Sequence, residues 1–465
     1  MSEEKQDYGK TLNLPNTEFP MRGSLPENEP KTQKAIFENG LYEKMLKKNE
    51  GHKHYVLHDG PPYANGEIHM GHALNKILKD TINRFKSLQG YQMFYVPGYD
   101  THGLPTERKA IQALGIKREE VSIPEFRDTC RKFALQYVDK QSEGFKRLGV
   151  LGDWENPYRT LDPEFEARQI GVFGDMYQKG YIYKGLKPVY WCTDCETALA
   201  EAEIEYQDCD TTSIYVKFQV EDGKGVLDTD NYIVIWTTTP WTLPGNTGIV
   251  VEGEADYSLV ETNRGKLVMA TVLVDQIMQV SGIKEYKTLK TVKGAELEGI
   301  LCKHPFLDRT SKVVLGSEDT VAVELDTGTG AVHCAPSYGK EDYLSGIKNG
   351  LDIIVTVDGK GYQTEGAGPF AGLYYAKSSD AIIEWLEQND YLLQKEVLNH
   401  SYPHCWRCKN PIIFRATDQW FASVDGFREE TLKAIKTVKW TPSWGEERIT
   451  SMVKDRNDWC ISRQR

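Results

Sequence analysis

Long apolar stretches are missing from this chain. Its longest uninterrupted run, Tyr232–Trp236, falls far short of the roughly 20 residues a bilayer-spanning helix needs, so no membrane span is expected. The first residues, Met1 to Asp7, are mostly acidic and hold no apolar h-region, so no secretory signal is expected there. Excess positive charge is missing too. The 56 Lys+Arg against 68 Asp+Glu leave a net charge of −12. That argues against a surface built throughout to grip nucleic acid, and leaves room for a local basic face. Cysteine is sparse, and its count of nine is odd. A reducing, cytoplasmic setting follows, with thiols held by metal or left unpaired. Internal repeats and low-complexity segments are absent. What is present is 40% hydrophobic and 11% aromatic, enough for a sizeable core. At roughly 150 residues per domain the length suggests about three domains.

Residues 1–50 read as a leader. Pro15, Pro20, Pro26 and Pro30 break it, and a helix follows from about Thr32 to Lys48. A short strand, Tyr55–Leu57, runs into the breaker-rich loop Asp59–Gly66. Next comes a helix whose Ala73, Leu74, Ile77, Leu78, Ile82, Phe85 and Leu88 recur mostly at three- and four-residue spacing. Gly90 is placed to end it. A second strand, Gln92–Val96, ends at Pro97-Gly98-Tyr99-Asp100. Strand, loop, helix and strand in this order form a parallel α/β unit. Helical patterns at Ser122–Leu148 and Glu164–Lys179 follow. Near residue 190 short β-rich runs take over: Ser213–Val220, Tyr232–Trp236, Gly248–Val251, Leu267–Val272, Lys312–Leu315 and Val321–Leu325. They read as a mainly antiparallel β domain, and mixed character returns by about residue 400. The expected divisions are 1–50, 51–190, 191–400 and 401–465.

Four places carry chemistry. His69-Met70-Gly71-His72 opens the first strong helix, with both imidazoles on one face of its first turn. Free N–H groups there attract phosphate, Gly71 and Gly66 let a ligand approach the backbone, and the imidazoles add donors for a triphosphate attacked at its α-phosphorus. The bland alternative is two histidines on a solvated helix start. In the second loop Asp100 offers a carboxylate for an ammonium group, or simply an Asx turn. In the β-rich region, Thr237, Thr238, Thr239, Thr242 and Asn246 cluster hydroxyls and an amide, and His333 and Asp342 lie further on. Finally, Cys192-Thr-Asp-Cys195 and Cys405-Trp-Arg-Cys408 are two C-x-x-C knuckles that together suit structural tetrahedral zinc. Their long separation fits an insertion whose ends return together. Two unrelated redox pairs are the alternative.

The segment Pro61-Pro62-Tyr63-Ala64-Asn65-Gly66-Glu67-Ile68-His69-Met70-Gly71-His72 resembles the first signature of class I aminoacyl-tRNA synthetases, and within them the isoleucyl type. Asp100-Thr-His-Gly-Leu-Pro105 and the leader segment Asn16–Gly23 are similar to isoleucyl forms, whereas valyl and leucyl relatives read differently in the loops. The resemblance implies a Rossmann-like catalytic domain interrupted by an inserted β-barrel editing domain. It implies ATP with Mg2+, isoleucine and tRNA(Ile) as substrates, handled by a cytoplasmic monomer. ATP would meet Asn65, Gly66, His69 and His72. Pro61 would line the side-chain pocket, and Asp100 would hold the α-amino group.

For isoleucyl enzymes themselves, it is established that a pocket for isoleucine rejects valine poorly, since one methylene is worth only about 1–3 kcal/mol. A second, hydrolytic sieve is therefore implied. Its threonine motif is residues 237–242 with Asn246, Asp342 would capture the ammonium of a valyl group, and His333 would bound the pocket. Departures from the family pattern are Tyr99 for Trp, Thr106 for Ile, Cys334 for Thr, and Ser337-Tyr338 for Gly-His. The aromatic Tyr338 is expected to narrow or reshape that pocket. The second family signature, Lys-Met-Ser-Lys-Ser, does not occur in the sequence. The chain is accordingly expected to be the N-terminal part of a longer ligase and to activate isoleucine weakly or not at all by itself. A valyl or leucyl relative, a separate tRNA-editing module and a structural zinc protein are the alternatives.

Overall fold

The computed structural model describes residues 8–13, 18 and 22–464. Met1–Asp7, most of the leader segment 16–23, and Arg465 lie outside the described residues. The chain divides into two compact units, 1–172 and 173–465.

The first unit begins with α1 (Leu25–Glu38) and α2 (Leu41–Lys48) rather than one helix from Thr32. Pro26 stands in the first turn of α1, where the missing N–H has no partner to lose. Gly40, at φ 59°, takes the left-handed conformation that separates the two helices. Then come β1 (His54–Val56), α3 (Met70–Leu88) and β2 (Gln92–Phe94). β1 and β2 are parallel, His54 opposite Gln92 and Val56 opposite Phe94, with α3 as the crossover such a pair requires. Gly90 follows α3 at φ 87°. β3 (Gly98–Tyr99), α4 (Leu104–Leu114), α5 (Ile123–Arg147) and β4 (Tyr158–Arg159) complete the unit, with β3 and β4 parallel. Ser122 caps α5 by accepting from Glu125 N. The core gathers Tyr95, Tyr99, Ala134, Phe145, Val150 and Trp154.

On α3 the periodic apolar residues do not face that core. Leu74, Ile77, Leu78, Ile82 and Phe85 are 41–63% exposed, while the buried side chains of the helix are Lys76 and Asn83. The inward face is set by an ion pair: Lys76 Nζ meets Asp59 Oδ2, and both side chains are almost wholly buried.

After α6 (Pro163–Gln178), the second unit opens with β5 (Ile182–Cys192) and β6 (Thr197–Leu199). Its large sheet uses β7 (Ile204–Asp222), β8 (Asn231–Thr237), β9 (Gly248–Val251), β10 (Asp256–Thr262) and β11 (Gly265–Ala270). Beyond α7 (Val274–Val280) it adds β12 (Tyr286–Lys293), β13 (Leu301–Lys303), β14 (Thr310–Leu315) and β15 (Ala331–Cys334). α8 (Lys340–Asn349) and α9 (Tyr375–Gln388) precede its last strand, β16 (Leu392–Cys405). β17 (Ile413–Ala422), α10 (Arg428–Ile435), α11 (Gly445–Lys454) and β18 (Trp459–Cys460) end the unit.

The ten-stranded sheet is mixed, in the order β12-β10-β11-β8-β15-β9-β14-β13-β7-β16. β7 also pairs with β8, so the pairings β8-β15-β9-β14-β13-β7-β8 run in a closed cycle. Most neighbours are antiparallel; β11–β8, β14–β9 and β15–β8 are parallel. Two sequence expectations fail here. Residues 321–325 form no strand, and β11 stops at Ala270 because Thr271–Leu273 turns into a 3-10 helix. A smaller sheet, β18-β17-β5-β6, joins distant segments, since β17 pairs with β5 along its length. The main core of the unit lies within the large sheet, around Ile214, Phe218, Ile233, Ile235, Leu243 and Ile249.

Candidate active sites

In the first unit, α3 begins on a histidine pair that caps itself. His69 is the N-cap, and its Nδ1 accepts from Gly71 N at 3.1 Å. In return His69 N donates to His72 Nδ1 at 3.3 Å. The two rings stack with centroids 3.9 Å apart. Gly71 fits because a Cβ there would stand 3.0 Å from the His69 ring. Burial, then His69 and Lys76, lowers the His72 pKa, so this imidazole is neutral at physiological pH. A neutral ring at a helix N-terminus donates hydrogen bonds to anionic oxygens without acting as a base.

The two loops join directly. Ala64 N donates to Asp100 O and Asp100 N to Pro62 O, both at 2.8 Å, in a parallel bridge between Tyr63 and Asp100. The segment holding Pro61, Asn65 and Gly66 is thereby fixed against the segment holding Asp100. The Asp100 carboxyl is half-buried, takes a 3.5 Å contact from Thr160 Oγ1, and has its pKa raised by burial.

Two supporting residues, Gln141 and Asp59, escaped the motif reading. Gln141 on α5 donates to Tyr63 O at 3.0 Å and to Gly66 O at 2.8 Å. Asp59 accepts from Lys76, from Lys79 at 2.9 Å and from Gly98 N at 3.0 Å, tying loop to helix to second loop. Burial works against the Asp59 charge, but Lys76 and Lys79 outweigh it and hold the carboxyl below its usual range. Of the departures, Tyr99 is buried and pairs its hydroxyl with Ser142 at 2.6 Å. Thr106 is buried with its hydroxyl unpaired among the described residues.

In the second unit, the threonine segment and β15 meet. Thr242 Oγ1 lies 2.9 Å from His333 Nε2, and Asn246 Nδ2 lies 2.7 Å from His333 Nδ1. Thr239 Oγ1 reaches Thr242 Oγ1 at 3.1 Å and Thr237 Oγ1 at 3.3 Å. Thr238, half-exposed, takes no part in this network among the described residues. Burial drives the His333 pKa down to about 3, with Arg309 adding to the effect. The ring is therefore neutral.

Asp342, in the first turn of α8, accepts from Ala335 N at 2.8 Å, which ties α8 to the end of β15. Burial raises its pKa to about 7. Two departures from the motif prove to be packing residues. Cys334 lies buried among Val250, Val314 and Leu351. Tyr338 is buried beside the threonine segment. It packs edge-on to Trp241 at 5.2 Å, and its hydroxyl bonds Thr356 Oγ1 at 2.8 Å.

The four knuckle cysteines converge as well. Their sulfurs all lie within 4.8 Å of one another, with Cys192, Cys195 and Cys405 buried and Cys408 half-buried. In tetrahedral zinc–thiolate geometry, with Zn–S of about 2.3 Å, sulfurs sit about 3.8 Å apart, so the donor set fits zinc with small adjustment. β5 ends at Cys192 and β16 ends at Cys405, which brings the knuckles together. Cys130, Cys209, Cys302, Cys334 and Cys460 form no disulfide.

The chain as a whole has relatives among known proteins. The sequence model described as tRNA synthetases class I (I, L, M and V) matches residues 31–465, and the chain belongs to that family. Among curated relatives it is 58% identical over 465 residues to the isoleucine–tRNA ligase of Caldicellulosiruptor saccharolyticus, covering 99% of this chain and 50% of that protein. It is 56% identical over 460 residues to that of Desulforamulus reducens, covering 99% and 49%. The chain thus spans about half the length of the curated relatives it matches. A solved LeuRS–tRNA–LeuAMS complex of Agrobacterium radiobacter K84 aligns at a TM-score of 0.36 and 18% identity, over 84% of this chain and 52% of that one.

Proposed function

We propose that the chain carries out steps of an isoleucine–tRNA ligase reaction. The first unit contributes to isoleucyl-adenylate formation, and the second hydrolyses valyl-tRNA(Ile). The observation that carries this is the joining of the two loops at Tyr63 and Asp100, which aligns a carboxylate-bearing segment with the segment leading into the His69–His72 cap. Asp100 pairs with the α-ammonium of isoleucine and Pro61 lines the side-chain pocket. Asn65, Gly66, His69 and His72 hold ATP, brought in with Mg2+. The carboxylate oxygen of isoleucine attacks the α-phosphorus; the bond to the β-phosphate oxygen breaks and pyrophosphate leaves. The two imidazoles, each accepting through Nδ1 within the cap, offer Nε2–H to the phosphoryl oxygens as charge builds on them.

In the second unit, Asp342 pairs with the ammonium of a valyl group and His333 walls the side-chain pocket. Threonine hydroxyls hold the ester and a water. The water oxygen bonds to the carbonyl carbon, the ester bond breaks, and the ribose hydroxyl of the tRNA regains its proton. The closed cycle of strand pairings supports reading the insertion as a β-barrel, and the parallel β1–α3–β2 crossover supports a Rossmann-like catalytic half. On this reading the functional divisions stay at 51–190, 191–400 and 401–465, with 1–50 as leader. Cys192, Cys195, Cys405 and Cys408 would hold a structural zinc that clamps the root of the insertion. No helix among the described residues is long and apolar enough to cross a membrane. The reading of a cytoplasmic monomer rests on the family resemblance alone.

The test is twofold. Pyrophosphate exchange dependent on isoleucine, above that with valine or leucine, supports the first assignment. Valyl-tRNA(Ile) hydrolysed faster than isoleucyl-tRNA(Ile) supports the second, and equal rates overturn it.

A further inference from the structure

The threonine–histidine network does not end at Asn246. Ser311, on β14 and fully buried, donates its hydroxyl to Asn246 Oδ1. Asn246 is also fully buried, and the other end of its amide faces two acceptors: Gly248 O at 2.9 Å and His333 Nδ1 at 2.7 Å. Gly248 O is a carbonyl and only accepts, so the amide nitrogen must face it. Its second N–H then points at His333 Nδ1, which must carry a lone pair. A neutral imidazole with a bare Nδ1 carries its proton on Nε2. His333 Nε2–H therefore donates to Thr242 Oγ1 at 2.9 Å, and the Thr242 hydroxyl passes its own hydrogen to Thr239 O at 2.8 Å. Every donor from Ser311 to Thr242 thereby has one assigned direction.

We propose that Ser311 is a positioning residue of the hydrolytic site: through Asn246 it holds His333 as a fixed Nε2–H donor toward Thr242. This rests on the reading of the second unit as a valyl-tRNA hydrolase. It assigns His333 a fixed hydrogen-bond geometry and denies it the role of proton acceptor. The Thr242 hydroxyl, committed to a backbone carbonyl, is likewise not the nucleophile. That leaves water as the attacking group. The reason Ser311 matters is that Asn246 Oδ1 has no other donor among the described residues. Gly248 O still favours the same amide orientation without the hydroxyl, but Asn246 Oδ1 is then buried with no donor, the amide is held less firmly, and its grip on a single His333 tautomer weakens.

The experiment uses the whole chain and two readouts. Long-range 1H–15N correlation of ring-labelled histidine, with His333 assigned by its absence in His333→Ala, reports the tautomer without reference to activity. Steady-state hydrolysis of valyl-tRNA(Ile) separates kcat from KM. The unaltered chain should show a single Nε2–H tautomer for His333. Ser311→Ala should show mixed tautomers and a kcat lowered roughly tenfold, with KM changed less than about twofold. Ser311→Cys, similar in size with a weaker donor, should recover part of kcat. A Nδ1–H tautomer in the unaltered chain, or Ser311→Ala with unchanged tautomer and kcat, overturns the proposal. If the unaltered chain does not hydrolyse valyl-tRNA, the hydrolase reading fails and takes the catalytic consequence with it. The tautomer measurement still decides the hydrogen-bond chain in that case.

Discussion

Asp342 and His333 differ in what burial does to them. Burial favours the neutral form of each, which takes the histidine pKa down to about 3 and the aspartate up to about 7. His333 is then uncharged throughout the working range, while Asp342 changes charge within it. An ammonium group needs the carboxylate, so kcat/KM for valyl-tRNA hydrolysis should rise with pH through about 7. Asp342→Asn should remove that limb and the preference for valyl over isoleucyl ester; a pH profile of the variant that keeps the limb would exclude Asp342 as its source. The stability sign is opposite. The folded carboxyl keeps its proton to about pH 7, whereas an unfolded one releases it near its usual value of about 4. Folding is thus expected to lose stability between these limits and to level off above. His333 and Asp342 were both legible in the sequence as members of a motif. Ser311 and Gln141 were not, because a lone serine on a strand and a lone glutamine on a helix carry no local signature. Each acquires its role from a partner 65 or more residues away.

At the level of elements, α3 shows where periodicity misleads. Its apolar spacing was read correctly as a helix, and its N-terminal histidines as the start. The same spacing gave no indication that a buried ion pair would decide which face turns inward. Two substitutions on this helix should therefore behave against composition. Ile82→Lys, on the exposed apolar stripe, should change stability by less than about 0.5 kcal/mol. Lys76→Met, which replaces a cation by an apolar group, should cost about 3 kcal/mol because it leaves Asp59 buried without its main partner. Chemical denaturation followed by a probe in the first unit distinguishes the two. If the order is reversed, the ion pair does not orient the helix. The strands of the second unit were easier to read. β8 and β9 match their apolar runs closely, since short β-branched stretches between turn residues bury on both sides of a large sheet. Residues 321–325, also mostly apolar, form no strand, because strand status depends on finding a neighbour to pair with.

For the whole molecule, the division into two compact units predicts two unfolding transitions, and the thiol cluster lies in only one of them. Metal-replete protein should contain one zinc per chain by elemental analysis. Cys405→Ser should lose it and lower the transition of the second unit, leaving that of the first in place. A chain that holds no zinc when supplied with it, or a variant that melts unchanged, would rule out a structural metal. The long gap between the knuckles was the sequence signal for an insertion returning to its root. The pairing of β17 with β5, and the ladder of β16 with β7, bring segments about 200 residues apart together beside the knuckles.

The sequence alone determined the chemistry available: a histidine cap on a glycine-rich loop, a carboxylate in the next loop, hydroxyls with a histidine and an aspartate, and four thiols in two knuckles. Such features are set by residue type and short spacing, so they survive reading in one dimension. Tertiary structure alone decided the face α3 buries, the turning of Tyr338 into the packing around Trp241, and the chain of donors from Ser311 that fixes the proton on His333. Burial and hydrogen-bond direction depend on what other segments bring to the same place, and no local pattern encodes that.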